Sequence, residues 1–242
     1  MSRTLRIATY NIHKCRGLDR RVLPGRIANV IEELDADVIG LQEVMSVAGG
    51  EPEQDQIQYI ANRLQHYNWC FGENRIHRGG PYGNAVLARS RIMHFQNYDL
   101  TWGNRERRGC LRADVRVRPG CELHIFNVHL GTGFLERRHQ ARRLVSQQVL
   151  HGEDLQGPRI VVGDFNEWTR GLASRLMAEN FESIDLKLFS RFRRTYPGVL
   201  PVLHLDHFYF DKNLKLEDFR IHRSRKALVA SDHLPLVADF RV

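Results

Sequence analysis

Short apolar segments recur along this chain of 242 residues, and they constrain its fold more strongly than any other feature. Eight of them are rich in Val, Ile, Leu and Phe and are bounded by Gly, Pro or Asp, as is typical of β-strands. They cover residues 5–12, 36–44, 83–90, 111–117, 122–130, 159–165, 205–210 and 235–242. We therefore predict a fold built mainly on β-sheet.

Four further stretches carry apolar side chains at helical spacing. The predicted helices cover residues 23–36, 55–67, 134–150 and 171–180. Strands outnumber helices, and a short Arg-Pro-Gly turn joins 111–117 to 122–130, which favours mixed, mostly antiparallel sheets. We predict an α/β sandwich with helices outside two such sheets, rather than a doubly wound parallel sheet. No repeat or linker is visible, so residues 1–242 are predicted to form a single domain.

The charge balance is basic, with 36 Lys and Arg against 28 Asp and Glu and a net charge of +8. Such a surface favours anionic partners: nucleic acid, phosphorylated metabolites or acidic lipid head groups. No apolar stretch approaches the ~20 residues that a transmembrane helix needs. The chain enters its first strand without the apolar region of a signal peptide. A monomeric, cytoplasmic protein is therefore the expectation.

Polar residues stand at the ends of the predicted strands, and they are the main clue to function. The set comprises Asn11, Glu43, His129, Asp164, Asn166, Asp206, Asp232 and His233. In an extended chain residues i and i+2 face the same side, so Asp164 and Asn166 are predicted to share one space. Each residue alone has an ordinary explanation as a turn residue or a buried histidine. Together they predict side chains that converge on one rim of the sheets.

The carboxylates in this set predict a site for a hard metal ion. Oxygen ligands such as Glu43, with Asp232 nearby, suit Mg²⁺, which binds one or two carboxylates together with water and substrate phosphate. Zinc is not indicated, because the four cysteines lack CxxC spacing. The same spacing argues against a disulfide framework, so buried free thiols are expected.

The remaining members predict acid–base chemistry. A histidine held by a carboxylate, as His233 and Asp206 allow, is a device for proton transfer. Asn11 and Asn166 supply amides that donate to a developing negative charge, and Asp164 is able to orient or deprotonate a water molecule. These parts describe hydrolysis of a phosphate ester by an in-line water with metal assistance. The G-x-S-x-G motif of serine hydrolases is absent.

Seven motifs occur in the order found in the endonuclease/exonuclease/phosphatase superfamily: "TYNIH", "LQEV", "YGNAVLAR", "NVHLG", "GDFN", "LDHFYF" and "SDHLPLV". They extend from Thr9 to Val237, so the chain resembles this superfamily over nearly its whole length. The superfamily includes deoxyribonucleases, abasic-site endonucleases, neutral sphingomyelinases and inositol-polyphosphate 5-phosphatases. The resemblance implies a four-layer α/β sandwich with a phosphoesterase site at one edge. It also implies Mg²⁺ as the cofactor, with Mn²⁺ as a possible substitute.

The resemblance also implies a role for each motif residue. By this resemblance Glu43 would be the main metal ligand, with Asn11 beside it and Asp232 close to the metal. Asp164 would position or activate the water, and Asn166 would hold the phosphate. Asp206 would orient His233, and His129 would be a second histidine of the site. His129 matches the deoxyribonuclease-like and sphingomyelinase-like branches. One position departs from the pattern, because His13 stands where many relatives carry an acidic residue. It either lines the pocket or binds the substrate phosphate.

The superfamily shares phosphoester chemistry but not substrates, so substrate choice is expected in the surrounding loops. Arginine-rich loops at 104–112, 189–198 and 220–233 suit phosphate oxygens. The predicted substrate contacts are His13, Asn84, Arg108, Arg194 and Arg225. The first hypothesis is a Mg²⁺-dependent nuclease or phosphodiesterase acting on nucleic acid. The alternatives are a phosphoesterase acting on lipid head groups or inositol phosphates, and an inactive binding protein of the same fold.

Overall fold

The computed structural model of the chain describes residues 4–167, 171–183, 195–198, 200 and 202–242. Two six-stranded sheets dominate these residues. The first sheet has the order β11-β12-β1-β2-β4-β3, with β1 at Thr4–Asn11, β2 at Val38–Met45, β3 at Asn68–His77, β4 at Gly80–Ala88, β11 at Lys215–Ile221 and β12 at Leu236–Arg241. The second has the order β5-β6-β7-β8-β10-β9, with β5 at Ile92–Asp99, β6 at Gly109–Arg118, β7 at Cys121–His129, β8 at Arg159–Asp164, β9 at Glu182–Ser183 and β10 at Asp206–Phe210.

Each sheet contains one parallel pair of strands, β1–β2 in the first and β7–β8 in the second. The other neighbouring strands are antiparallel. The prediction of mixed, mostly antiparallel sheets is therefore confirmed.

Helices cover the outer face of each sheet and complete four layers. The helices are α1 (Pro24–Leu34), α2 (Gln56–Leu64) and α5 (Arg225–Ala230) on the first sheet, and α3 (Phe134–Leu144) and α4 (Leu172–Asn180) on the second. α1 begins with Pro24, whose fixed φ suits a first helical turn, and ends before Asp35, which has a left-handed φ of 49°. Its apolar side places Ile27 and Ile31 in the apolar layer between the helices and the first sheet, which we term the outer core.

The inner core lies between the two sheets, so the central strands are buried on both faces. In β1, Ile7 faces the inner core while Ala8 and Tyr10 face the helices. In β8, Ile160 and Val162 face the inner core in the same way. Burial on both faces explains why these strands read as continuous apolar runs. Each fully buried large apolar side chain contributes roughly 1.5–3 kcal/mol to the stability of this layer.

The eight predicted strands are the eight inner strands, and the four that sequence reasoning missed are the four edges of the two sheets. β3, β5, β9 and β11 form those edges. An edge strand of this fold buries little on one face, and β5 and β11 are mostly exposed or half-buried. Their sequences therefore lack the apolar run that marks an inner strand.

Two helix boundaries also differ from the prediction. α3 ends at Leu144 rather than continuing to residue 150, because the Ser146 hydroxyl donates to the carbonyl of Arg143 at 2.7 Å and turns follow. The six-residue helix α5 was not predicted. The cysteines are free thiols, and Cys121 alone is not fully buried.

Within the described residues, no helix has the length and apolar character needed to cross a membrane. The single domain, the monomeric state and the cytoplasmic location stay predictions.

Candidate active site

The two parallel strand pairs bring polar residues from both sheets to one rim. Asn11 ends β1, Glu43 lies near the end of β2, His129 ends β7 and Asp164 ends β8. The Nδ2 atom of Asn11 donates to Asp164 Oδ2 at 3.0 Å and lies 3.4 Å from Glu43 Oε1. Asn11 therefore links carboxylates of the two sheets, and the convergence predicted from the strand ends is observed for these four residues.

A second pair of residues enters the rim from the start of neighbouring strands. Asp206 begins β10 directly opposite Asp164, and His233 lies in the segment that leads into β12. His233 Nδ1 donates to Asp206 Oδ2 at 2.9 Å, and the hydroxyl of Thr195 donates to the same oxygen at 2.5 Å. This arrangement leaves His233 Nε2 facing Asp164 Oδ2 at 3.8 Å. The ring is thus oriented by one carboxylate and directed at another.

Burial and neighbouring charges set different charge states for the groups at the rim. Burial lowers the pKa of His233, but Asp206 and Asp164 outweigh it and raise this pKa to about 10. Burial and the charge of Asp206 raise the pKa of Asp164, against the opposing effect of His233. Burial and the Arg108 guanidinium hold the pKa of His129 well below its usual range. At neutral pH His233 is therefore a cation and His129 is neutral.

Arg108 is buried beside His129, as part of the site rather than of an exposed loop. Its Nη1 lies 3.1 Å from Nδ1 and 3.2 Å from Nε2 of His129, and its Nη2 lies 3.6 Å from a carboxylate oxygen of Glu106. His129 Nε2 in turn lies 3.7 Å from Asp164 Oδ2. The Nε atom of Arg108 has no hydrogen-bond partner among the described residues.

Glu43 carries a contact that sequence reasoning missed. Its Oε2 forms an ion pair with the ammonium of Lys14, while its Oε1 faces Asn11. Burial favours the neutral acid, but His129 and Lys14 oppose it and lower the pKa of Glu43. Glu43 is therefore ionised, with a resident cation on one oxygen.

The backbone around the rim is locally left-handed. Five non-glycine residues of the rim have positive φ, namely His13 (46°), Lys14 (57°), Cys15 (55°), Glu43 (59°) and Asn166 (50°). Each such residue costs on the order of 1–3 kcal/mol, so the surrounding packing must hold it in place. The buried amide of Gln56 donates to the carbonyl of Lys14 at 2.8 Å, and Cys15 is anchored in the outer core. This segment directs Lys14 onto Glu43.

Asn166 reaches the rim by a different route from the one predicted. The extended conformation ends at Asp164, and Asn166 is left-handed, so the simple alternation of an extended chain does not apply. The backbone N–H of Asn166 instead donates to Asp164 Oδ1 at 2.8 Å, and its side chain donates to the carbonyl of Leu130 at 2.9 Å. Both residues still lie together at the rim.

Asn84 belongs to a layer of buried amides directly beneath the rim. Its Nδ2 donates to the carbonyls of Gly109 and Asn127 at 3.2 Å, across the space between the sheets. Asn127 Oδ1 accepts from the side chain of Gln42 at 2.6 Å. Asn84 Oδ1 has no hydrogen-bond partner among the residues described. Its predicted contact with substrate stays a prediction, since the side chain is fully buried here.

The remaining predicted residues differ in their distance from the rim. His13 Nδ1 lies 3.4 Å from Asp232 Oδ1, and both side chains are partly exposed beside the site. Arg225 is exposed at the first turn of α5, at the opposite end of that helix from the segment leading to His233. Its contact with substrate stays a prediction. Arg194 lies outside the described residues.

The donor set of the rim fits a hard divalent cation. Asp164, Asp206 and His233 offer ligand atoms that lie within 4.8 Å of one another. Glu43 and Asn11 lie beside this group and have partners of their own, since Glu43 Oε2 pairs with Lys14 and Asn11 Oδ1 accepts from the backbone N–H of His13 at 3.0 Å. Carboxylate and amide oxygens are the ligands that Mg²⁺ prefers.

The chain is similar to known proteins over nearly its whole length. A sequence model described as "Endonuclease/Exonuclease/phosphatase family" matches residues 8–233. YbhP of Escherichia coli strain K12, an uncharacterized protein, is 29% identical over 252 aligned positions that cover 99% of this chain and 97% of the relative. The crystal structure of an endonuclease/exonuclease/phosphatase from Beutenbergia cavernae superposes with a TM-score of 0.82 at 23% identity, over 99% of this chain and 72% of that one. A mannosyl-6-phosphatase from Bacteroides thetaiotaomicron superposes with a TM-score of 0.77 at 19% identity, over 98% and 99% of the two chains.

Proposed function

Because the chain belongs to the Endonuclease/Exonuclease/phosphatase family, we propose that it is a Mg²⁺-dependent phosphodiester hydrolase acting on nucleic acid. Members of this family generally hydrolyse phosphoester bonds. The observation that carries the proposal is the orientation of His233 by Asp206 toward Asp164, with Asn11 joining Asp164 to Glu43. An acid, a base and a metal ligand thus face one space.

Glu43 would hold the metal, with Asn11 and Asp232 beside it and Mn²⁺ as a possible substitute for Mg²⁺. The ion would stabilise negative charge on the phosphate and make a bound water more acidic. Glu43 suits this role because its lowered pKa keeps it ionised.

The chain's own groups divide the proton chemistry between them. Asp164 Oδ2 is the proposed acceptor for the proton of the attacking water, and its raised pKa brings it closer to the pH at which a general base is most effective. The His233 imidazolium would donate its Nε2 proton to the leaving oxygen as the P–O bond breaks, since its Nδ1 proton is held by Asp206. Neutral His129, Arg108 and the amide of Asn166 would hold the remaining phosphate oxygens.

A substrate panel tests the proposal. Purified protein with Mg²⁺ is assayed on supercoiled plasmid, single-stranded RNA, an activated aryl phosphodiester, an activated phosphomonoester and sphingomyelin vesicles. We expect cleavage of a nucleic acid and of the aryl diester, and we expect His233→Ala to lower both rates by about 10²–10⁴-fold. Unchanged cleavage by His233→Ala would contradict the assigned role. Affinity for nucleic acid should fall steeply with salt.

One observation favours the second candidate, a phosphoesterase acting on lipid head groups. Phe134 and Leu135, in the first turn of α3 just beyond His129, are 61% and 58% exposed. Exposed apolar residues beside a basic site suit a membrane interface. Turnover of sphingomyelin without turnover of nucleic acid would select this candidate over the first.

A further inference from the structure

A cavity of about 370 Å³ adjoins the rim beneath the segment that connects β1 to α1. It is lined by His13, Arg16, Gly17, Leu18, Arg20 and Asp232. His13 and Asp232 also face each other beside the proposed metal site, with His13 Nδ1 3.4 Å from Asp232 Oδ1. The cavity therefore opens next to the place where a scissile phosphate would lie.

One wall of this cavity is a hairpin formed by residues 16–22. Arg16 and Val22 form an antiparallel bridge, and Gly17 N donates to the carbonyl of Arg21 at 3.0 Å. The hairpin rests directly on α5, where a Cβ on Gly17 would lie only 2.6 Å from the carbonyl oxygen of Val229. Glycine is thus required by the close contact, which seats the backbone of the hairpin against α5.

Three arginines, Arg16, Arg20 and Arg21, lie on the hairpin, and Arg26 follows it in α1. Arg26, at the base of the hairpin, forms two hydrogen bonds with Asp19, at 2.9 and 2.7 Å. Among the described residues, neither Arg16 nor Arg20 has a side-chain hydrogen bond or ion pair. The single carboxylate of the lining, Asp232, is already engaged with His13. In the described part of the chain, the cavity therefore presents two guanidinium groups that have no ion pair of their own, with the Asp232 carboxylate also in the lining.

We propose that this cavity binds a second phosphate group of the same substrate, next to the phosphate that is hydrolysed. Free guanidinium groups bind phosphate oxygens through paired hydrogen bonds. The inference rests on the proposed function and extends it to substrates with at least two phosphates. The second phosphate comes either from an adjacent nucleotide or from a phosphorylated small molecule.

The test compares the double variant Arg16→Gln/Arg20→Gln with a charge-matched control, Arg91→Gln/Arg116→Gln. Arg91 and Arg116 are exposed at the opposite edge of the sheets, next to the ends of β4 and β6. We expect the first variant to raise KM for a 5′-phosphorylated dinucleotide about tenfold more than KM for an aryl phosphodiester with one phosphate. An equal change for the two substrates, or the same change in the control, would overturn the proposal.

Calorimetric titration in EDTA separates this proposal from the proposed function, because it needs neither metal nor turnover. The probes are a tetranucleotide and a hexose bisphosphate, each titrated into wild type and the double variant. If the double variant binds only the tetranucleotide about tenfold more weakly than wild type does, the second phosphate belongs to a nucleic acid strand. If it binds only the bisphosphate about tenfold more weakly, the second phosphate belongs to a small molecule. Equal Kd values in wild type and variant, or no binding of either probe to wild type, would overturn the subsite.

Discussion

Two buried groups of Asp, His and Arg lie on or beside the second sheet, and they differ in how completely their charges are paired. The first, which we term the strand cluster, consists of Arg112, Asp114 and His124 on β6 and β7. Arg112 Nε and Nη2 each donate to an oxygen of Asp114 at 2.8 Å, and His124 Nδ1 lies 2.6 Å from Asp114 Oδ1. The backbone N–H of Gly157 satisfies His124 Nε2 at 3.1 Å.

The group at the rim uses the same residue types with poorer pairing. Arg108 contacts His129 rather than a buried carboxylate, and its Nε has no partner among the described residues. Asp206 Oδ1 is likewise unpartnered within the described part of the chain. Asp164 ends β8 directly opposite Asp206, which begins β10. Their two carboxylates therefore share one buried histidine, His233.

The comparison indicates how to tell a structural cluster from a reactive one. Buried polar groups are normally satisfied, and the strand cluster obeys that rule. Unsatisfied atoms and adjacent like charges are costly, and they persist at the rim where a substrate and a metal would complete them. Four predictions test this distinction.

The largest effect is expected for Asp206→Asn. The change keeps the shape of the side chain but removes the negative charge that orients His233 and keeps it protonated. We expect kcat for the aryl phosphodiester to fall by about 10²–10⁴-fold. A variant of full activity would show that the Asp206–His233 pair is structural.

The matched change in the strand cluster is Asp114→Asn, which leaves the buried Arg112 with the exposed Asp154 as its remaining carboxylate partner. Breaking a buried ion pair from one side costs about 3–5 kcal/mol. Urea unfolding should therefore show a large loss of stability, while kcat of the folded variant stays close to that of wild type. A loss of kcat with normal stability would reverse the assignment of the two groups.

Lys14→Met probes the resident cation on Glu43. The Lys14 ammonium occupies Glu43 Oε2 and repels a second cation nearby, so its removal should tighten Mn²⁺ binding about tenfold. Calorimetry measures the Kd, with the exposed Lys212→Met as the control for net charge. Weaker Mn²⁺ binding in Lys14→Met would show instead that Lys14 holds Glu43 in its metal-binding position.

The smallest expected effect is the pH dependence of the stability that the strand cluster contributes. Burial raises the pKa of Asp114, but His124 and Arg112 outweigh it and the pKa is lowered. A lowered folded-state pKa contributes stability above the unfolded value of about 3.9 and loses it as the pH falls through the folded value. The stability difference between wild type and Asp114→Asn should therefore shrink as urea unfolding is repeated from pH 7 toward pH 3. A constant difference would contradict the ionised assignment.

The same distinction explains what the sequence predicted well. The inner strands were predicted because both of their faces are buried, which produces continuous apolar runs ending in polar residues such as Asn11 and Asp164. The edges β3 and β5 were missed because half of their surface meets solvent. Local patterns therefore locate the inner strands and the rim.

Contacts between segments that are distant in the sequence could not be predicted from local sequence patterns. Lys14 reaches Glu43 only through three left-handed residues, and these are not glycines, so nothing in the sequence signals the conformation. Thr195 contacts Asp206 from a segment that carries no motif. Arg112, in an arginine-rich stretch assigned to substrate binding, is instead held in the strand cluster by Asp114.

The most direct test of the proposed metal-dependent site is the rate of nucleic acid cleavage as a function of Mg²⁺ concentration, in wild type and Glu43→Gln. Glu43→Gln removes the charge of the proposed main ligand while keeping its size. We expect wild-type cleavage to saturate with Mg²⁺ and to stop in EDTA, and Glu43→Gln to need much higher Mg²⁺ or to show no cleavage. Cleavage that survives EDTA, or an identical Mg²⁺ response in the two proteins, would contradict the account.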